Sequence, residues 1–172
     1  MHYRSQIAII LLLVTTVAWA YDGHQDQSFS HQTLKGISTV GVRLSGIAPD
    51  YDRYGLNGKE VYVAVSKHLT QAGLTLVSPE QATSTPGSVL LDISLHTARS
   101  DYSYYSYAVI VKVRQKIPLK APGTFVSLVT WKEGVHGIAL PIELRKVAAA
   151  VDEIIERFIA DYRQQNRIPG AS

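Results

Sequence analysis

The stretch that decides the fold is Tyr102–Leu119, YSYYSYAVIVKVRQKIPL. From Tyr105 the odd positions read Tyr105, Tyr107, Val109, Val111 and Val113. The even positions Lys112, Arg114 and Lys116 are basic. Apolar residues alternating with basic ones at a period of two mark a strand with one buried and one solvated face. The rest of the chain reads as material that covers the apolar side.

Working outward, Arg99–Ser103 turns the chain back onto Val89–Ala98. There Val89, Leu91, Ile93 and Leu95 alternate with Asp92, Ser94 and His96. The two strands form an antiparallel hairpin. On the other side, Ala121-Pro122-Gly123 breaks the chain before a further strand, Thr124–Lys132. That strand is apolar on both sides: Phe125, Val129 and Trp131 on one, Val126 and Leu128 on the other. Glu133–Leu140 reads as a glycine-rich connection around His136. A first strand lies within Ile37–Ile47, followed by the turn-rich loop Ala48–Gly55, and a short one lies at Leu74–Val77.

Two helices complete the set. Asn57–Ala72 has Asn57 at the cap position and Gly73 at the left-handed exit, with Val61, Val65, Leu69 and Ala72 on one face. Pro79–Ala82 allows at most one helical turn. Pro141–Gln165 begins with proline at the first helical position. It carries a broad apolar stripe through Leu144, Val147, Val151, Ile154, Ile155, Phe158, Ile159 and Tyr162. The expected architecture is an α+β two-layer sandwich: a mostly antiparallel sheet of four or five strands with two amphipathic helices on one face, in the order β-α-β-β-β-β-α.

The N-terminus is read separately. Arg4, the uncharged apolar run Ile7–Val17 and Ala18-Trp19-Ala20 have the layout of a secretory signal peptide. Ile7–Ala20 is shorter than the ~20 residues a bilayer span requires. The expected organisation is a signal peptide at 1–20, a polar leader at 21–35, one domain at 36–166 and a tail at 167–172. No transmembrane segment remains after cleavage. The expected location is the periplasm, with release from the cell as the other destination. The chain has no cysteine, so the exported domain has no disulfide framework and rests on its core.

The net charge of +3 is too small an excess for a nucleic-acid footprint. No nucleophile-elbow, zincin or phosphate-loop pattern is present, and no cofactor is expected. The most unusual local composition is the tyrosine block. Alternation turns Tyr105 and Tyr107 to the core and leaves Tyr102 and Tyr104 outside. Tyr102 and Tyr104, with Lys112, Arg114 and Lys116, are the candidate partner-binding residues. An envelope protein or an anionic envelope component is the expected partner. His96 and His136 support a second reading, a small-ligand or metal-binding protein. A hydrolase assembled from His96, His136, Asp92 and Glu133 is a third.

The element order over Ile37–Gln165 resembles the small exported α+β domains of outer-membrane assembly and secretion accessory proteins, such as the lipopolysaccharide-assembly lipoprotein type. The chain departs from that type in lacking the lipidated cysteine. Export, a well-specified fold, the absence of a catalytic signature and the Tyr-rich, basic strand surface lead to the expectation of a non-enzymatic accessory module that works through protein or envelope contacts. The resemblance rests on element order and on no motif.

Overall fold

The computed structural model describes residues 32–100 and 104–166. The signal-peptide region, most of the leader and Tyr102 lie outside them. Five strands form one sheet: β1 Thr39–Ser45, β2 Thr75–Val77, β3 Ser88–Arg99, β4 Tyr105–Pro118 and β5 Phe125–Ala139. The order across it is β2-β1-β3-β4-β5. β1 runs parallel to both β2 and β3, whereas β3, β4 and β5 are antiparallel neighbours. The long pairings are the antiparallel ones, so the expected α+β sandwich is the fold, with a parallel corner at β1.

Helix α1 (Gly58–Gln71) connects β1 to β2. The Asn57 side chain caps it, accepting from the backbone N–H of Lys59 (2.8 Å) and Glu60 (3.0 Å). The third helix, α3 (Arg145–Gln165), closes the chain. Pro141–Glu143 stands apart from it as a 3-10 turn, where Glu143 and Leu144 bond back three residues to Leu140 and Pro141. Both long helices cover one face of the sheet. Their Val61, Val65, Leu69, Val151, Ile154, Ile155 and Phe158 form one core with Val40, Val42, Leu91, Ile93, Val109, Val111 and Val113. Burying an aliphatic side chain of this size stabilises the fold by about 1.5–3 kcal/mol.

Between them in sequence, α2 (Pro79–Ser84) is longer than the single turn expected. Ser78 and Gln81 exchange the two bonds of a capping box. This short helix lies on the opposite face, over β1 and β3. Gly41 permits the approach: a Cβ there would sit 2.6 Å from the Ala82 Cβ.

Three expectations about the chain change. Glu133–Leu140 is not a connection, because β5 continues through it to Ala139. Its glycines serve the sheet: a Cβ on Gly137 would enter the Tyr107 ring within 3 Å. Second, the sides of β5 are not those of uninterrupted alternation. Val113 pairs with Trp131 but Arg114 with Val129, so Thr130 is an extra, bulged residue. The bulge turns Val129 to the outer face with Arg114 and Trp131 to the core with Val113. Third, Leu34, assigned to the polar leader, is fully buried. The Asn166 amide donates to its carbonyl (2.8 Å) and accepts from the Gly36 N–H (2.6 Å).

Tyr105 and Tyr107 close one end of the sheet. Tyr105 is buried, with Tyr51 edge-on at 5.8 Å and Tyr54 at 6.4 Å between ring centroids. Both partners come from a 3-10 helix, Pro49–Tyr54. The Tyr51 hydroxyl bonds Thr97 Oγ1. Tyr107 is half-buried against the same core.

Candidate functional site

Sheet register dictates what the outer face carries. Residues paired across strands share a face, so the pairings can be read as rows. One row is Arg43, Asp92, Lys112 and Lys132. The next carries Gly41, Leu90, Arg114 and Val129. In the other direction lie Ser94, Ile110 and Gly134, then His96, Ala108 and His136, then Ala98, Ser106 and Ile138. α2 covers only the β1–β3 corner of this face.

Asp92 is the electrostatic centre. It is 7% exposed, a burial that a carboxylate tolerates only with partners. Arg43 supplies a fork, Nε to Oδ1 at 3.1 Å and Nη2 to Oδ2 at 2.9 Å, and Arg114 Nε donates to Oδ2 at 3.1 Å. The Arg43 bonds, with those of Arg114, hold the Asp92 carboxyl below its ordinary value against the opposing effect of burial. Lys112 and Lys132 continue the row, and among the described residues no carboxylate lies within ion-pair distance of either. Arg43, Arg114, Lys112 and Lys132 against one aspartate leave this band positive.

The opposite end of the face is apolar. Ile138 is 75% exposed and Tyr104 46%. They line an open cleft of about 560 Å³ with Ala98, Arg99, Ser100 and Ser106. Tyr104 is fixed there by its backbone, which donates to Ser100 Oγ (3.3 Å) and accepts from the Ser100 N–H (2.8 Å).

The sequence-derived candidates therefore separate. Tyr102 lies outside the described residues. Tyr104 sits at the apolar end. Lys112 is eight residues along, about 26 Å at strand rise. Arg114 is committed to Asp92, a partner that needs the β3–β4 register to be seen. Lys116 pairs with Ser127 beyond the last β3 partner. Tyr104 and the basic residues are thus two patches of one face. Sequence reasoning missed Arg43, Lys132 and Ile138 as members of it. Arg43 was visible as an outward residue of β1. Lys132 was visible as the last residue of the strand expected at Thr124–Lys132, and Ile138 depended on carrying β5 through the glycines.

His96 and His136 flank Ala108 in one row. Their Cα atoms are two strand spacings apart, about 10 Å. Asp92 is four residues from His96 and tied to the arginines. Glu133 pairs with Val111 and so belongs to the inner face. The four residues do not converge. Among the described residues, no group of three or more His, Asp or Glu is placed to hold a metal.

Among the described residues no helix is long and apolar enough to cross a membrane. No family model matches the chain, and no curated protein matches it. Among solved structures it is similar to a minor lipoprotein from Acinetobacter baumannii, at 9% identity and a TM-score of 0.35, over 72% of this chain and 91% of that one.

Proposed function

We propose that the protein is a non-enzymatic exported accessory module that binds a protein of the cell envelope through the outer face of β3, β4 and β5. The observation that carries this reading is the face itself, which among the described residues has only α2 over it, at the β1–β3 corner. It joins an exposed apolar corner at Ile138 and Tyr104 to a positive band at Lys112 and Lys132. Large exposed apolar side chains beside charged ones are the usual composition of a protein-binding surface. Export is read from the signal-peptide layout at 1–20. The test is affinity capture of a C-terminally tagged protein from cross-linked envelopes of the native host. The expected result is a reproducible partner that is lost with Tyr104→Ser plus Ile138→Ser and weakened by Lys112→Glu plus Lys132→Glu. A partner retained by both variants rejects this face.

A small-ligand or metal-binding role is the second reading, favoured by His96 and His136 standing in one row over the small Ala108. Two imidazoles need further ligands from elsewhere to make a strong site. Titration calorimetry with zinc and copper tests it. Heat of binding that disappears in the His96→Ala plus His136→Ala variant supports this reading, and no heat removes it.

A further inference from the structure

The β4–β5 hairpin runs past the rest of the sheet. Pairing of β3 with β4 stops at Val89–Gln115, while β4 and β5 stay paired through Lys116–Ser127, Ile117–Val126 and Pro118–Phe125. The turn is closed by the Leu119 N–H donating to Thr124 O (2.8 Å), and Gly123 takes the left-handed conformation at φ +74. The free end extends about 13 Å beyond Gln115 at strand rise. Leu119 is 49% and Phe125 45% exposed there, and Leu128 and Val129, 46% and 44% exposed, lie at its base opposite Gln115 and Arg114. Leu119 and Phe125, half-exposed on a two-stranded projection, have no role in the core.

Charge density separates this end from the apolar corner at Ile138, whose cleft is lined by one charged residue, Arg99. From Lys112 to Lys132 the chain holds Lys112, Arg114, Lys116, Lys120 and Lys132 and no Asp or Glu. The projecting part carries Lys116 and Lys120. Lys116 stands behind Leu119 and Phe125, and Lys120 is in the turn itself; apolar groups that enter the boundary region of an anionic bilayer while long basic side chains reach back to phosphates match this composition. A two-stranded tip is also too narrow for the ~800 Å² per partner of a stable protein interface. We propose that the tip of the β4–β5 hairpin is a membrane-surface anchor that inserts Leu119 and Phe125 into an anionic phospholipid bilayer, with Lys116 and Lys120 on the headgroups. This surface lies beyond the last β3 pairing, outside the three-stranded part of the outer face, and the inference stands whether or not that part binds a protein.

The experiment is flotation of the chain from Tyr21, which keeps every core residue from Leu34 to Tyr162 and removes the apolar run at Ile7–Val17. Vesicles are phosphatidylcholine alone, or phosphatidylcholine with about a third phosphatidylglycerol. The expected result is binding to the anionic vesicles that falls with salt. Lys116→Gln plus Lys120→Gln should weaken it about 20–30-fold, from roughly fivefold per basic residue near such a surface. Leu119→Ser plus Phe125→Ser should abolish it. Circular dichroism melts confirm that both variants are folded; if the serine pair fails to fold, Phe125→Trp reports insertion by a blue shift on the anionic vesicles. No flotation, equal flotation on neutral vesicles, or flotation unchanged by the variants overturns the proposal. So does a tip that proves necessary for protein capture in the absence of lipid.

Discussion

The two faces of the sheet obey opposite rules. The helix-covered face is apolar through the middle of the sheet, where Val40, Val42, Leu91, Ile93, Val109, Val111 and Val113 are buried. The outer face has a short helix over one corner and is otherwise polar, basic or conspicuously apolar in the open. On the covered face side-chain identity sets stability. On the outer face, under the proposed function, it sets what the protein meets. Asp92 belongs to both regimes: it lies on the outer face, yet it is buried and holds β1, β3 and β4 together through two arginines.

Substitutions can break this contrast, and the largest effect belongs to the covered face. Phe158 is fully buried, edge-on to Trp131 at 5.4 Å and stacked with Tyr162 at 6.4 Å. Phe158→Ala should lower stability to urea by about 3–5 kcal/mol and leave partner capture unchanged once the protein is folded. A loss under 1 kcal/mol would mean that the core does not centre on α3.

Next in size is Asp92→Asn, expected to lower stability by about 1–3 kcal/mol at neutral pH as the charge-assisted bonds weaken. The Asp92 carboxyl is held below its ordinary value in the fold, chiefly by Arg43. Its contribution is therefore present above the unfolded carboxylate value, about 4. It is lost as pH falls through the lowered folded value. Urea titrations of both proteins from pH 7 downward should converge under acid. A constant gap at every pH would show that the ion pairs are not its source.

Smaller, and opposite in sign, is Asp152→Asn. Burial raises the Asp152 carboxyl, His68 opposes that shift, and Glu156 adds to it. A raised folded value makes the carboxylate a liability above it, so the amide should gain a few tenths of a kcal/mol at neutral pH. The gain should vanish below the unfolded carboxylate value. A thermal melt that falls instead would mean that attraction to His68 outweighs burial.

The smallest expected stability change is at Lys112→Ala with Lys132→Ala, within about 0.5 kcal/mol as for surface substitutions generally. The same pair is expected to reduce capture of the envelope partner. A large loss of stability would move these lysines from the contact surface into the structural network.

Much of the architecture was legible because alternation and helical periodicity are local signals. The buried sets of β3, β4, α1 and α3 can each be read within the element's own residues. The bulge at Thr130 was not legible: an extra residue flips the sides of a strand without changing its composition. Gly134 and Gly137 misled for a related reason. Glycine reads as a break, but Gly137 is there because Tyr107 occupies the space of its side chain. The outer face was legible only in part. Lys112, Arg114 and Lys116 share a strand, whereas the link of Arg114 to Asp92 and Arg43 spans 22 residues on one side and a parallel pairing on the other.

The most direct test of the central claim, that the outer face of β3–β5 is the contact surface, is site-specific photo-crosslinking in native envelopes. One probe replaces Ile138, 75% exposed on that face. The control replaces Val63, 57% exposed on α1. Adducts at position 138 that are absent at 63 are the predicted result. Adducts at 63 alone, or none at 138, would contradict the account.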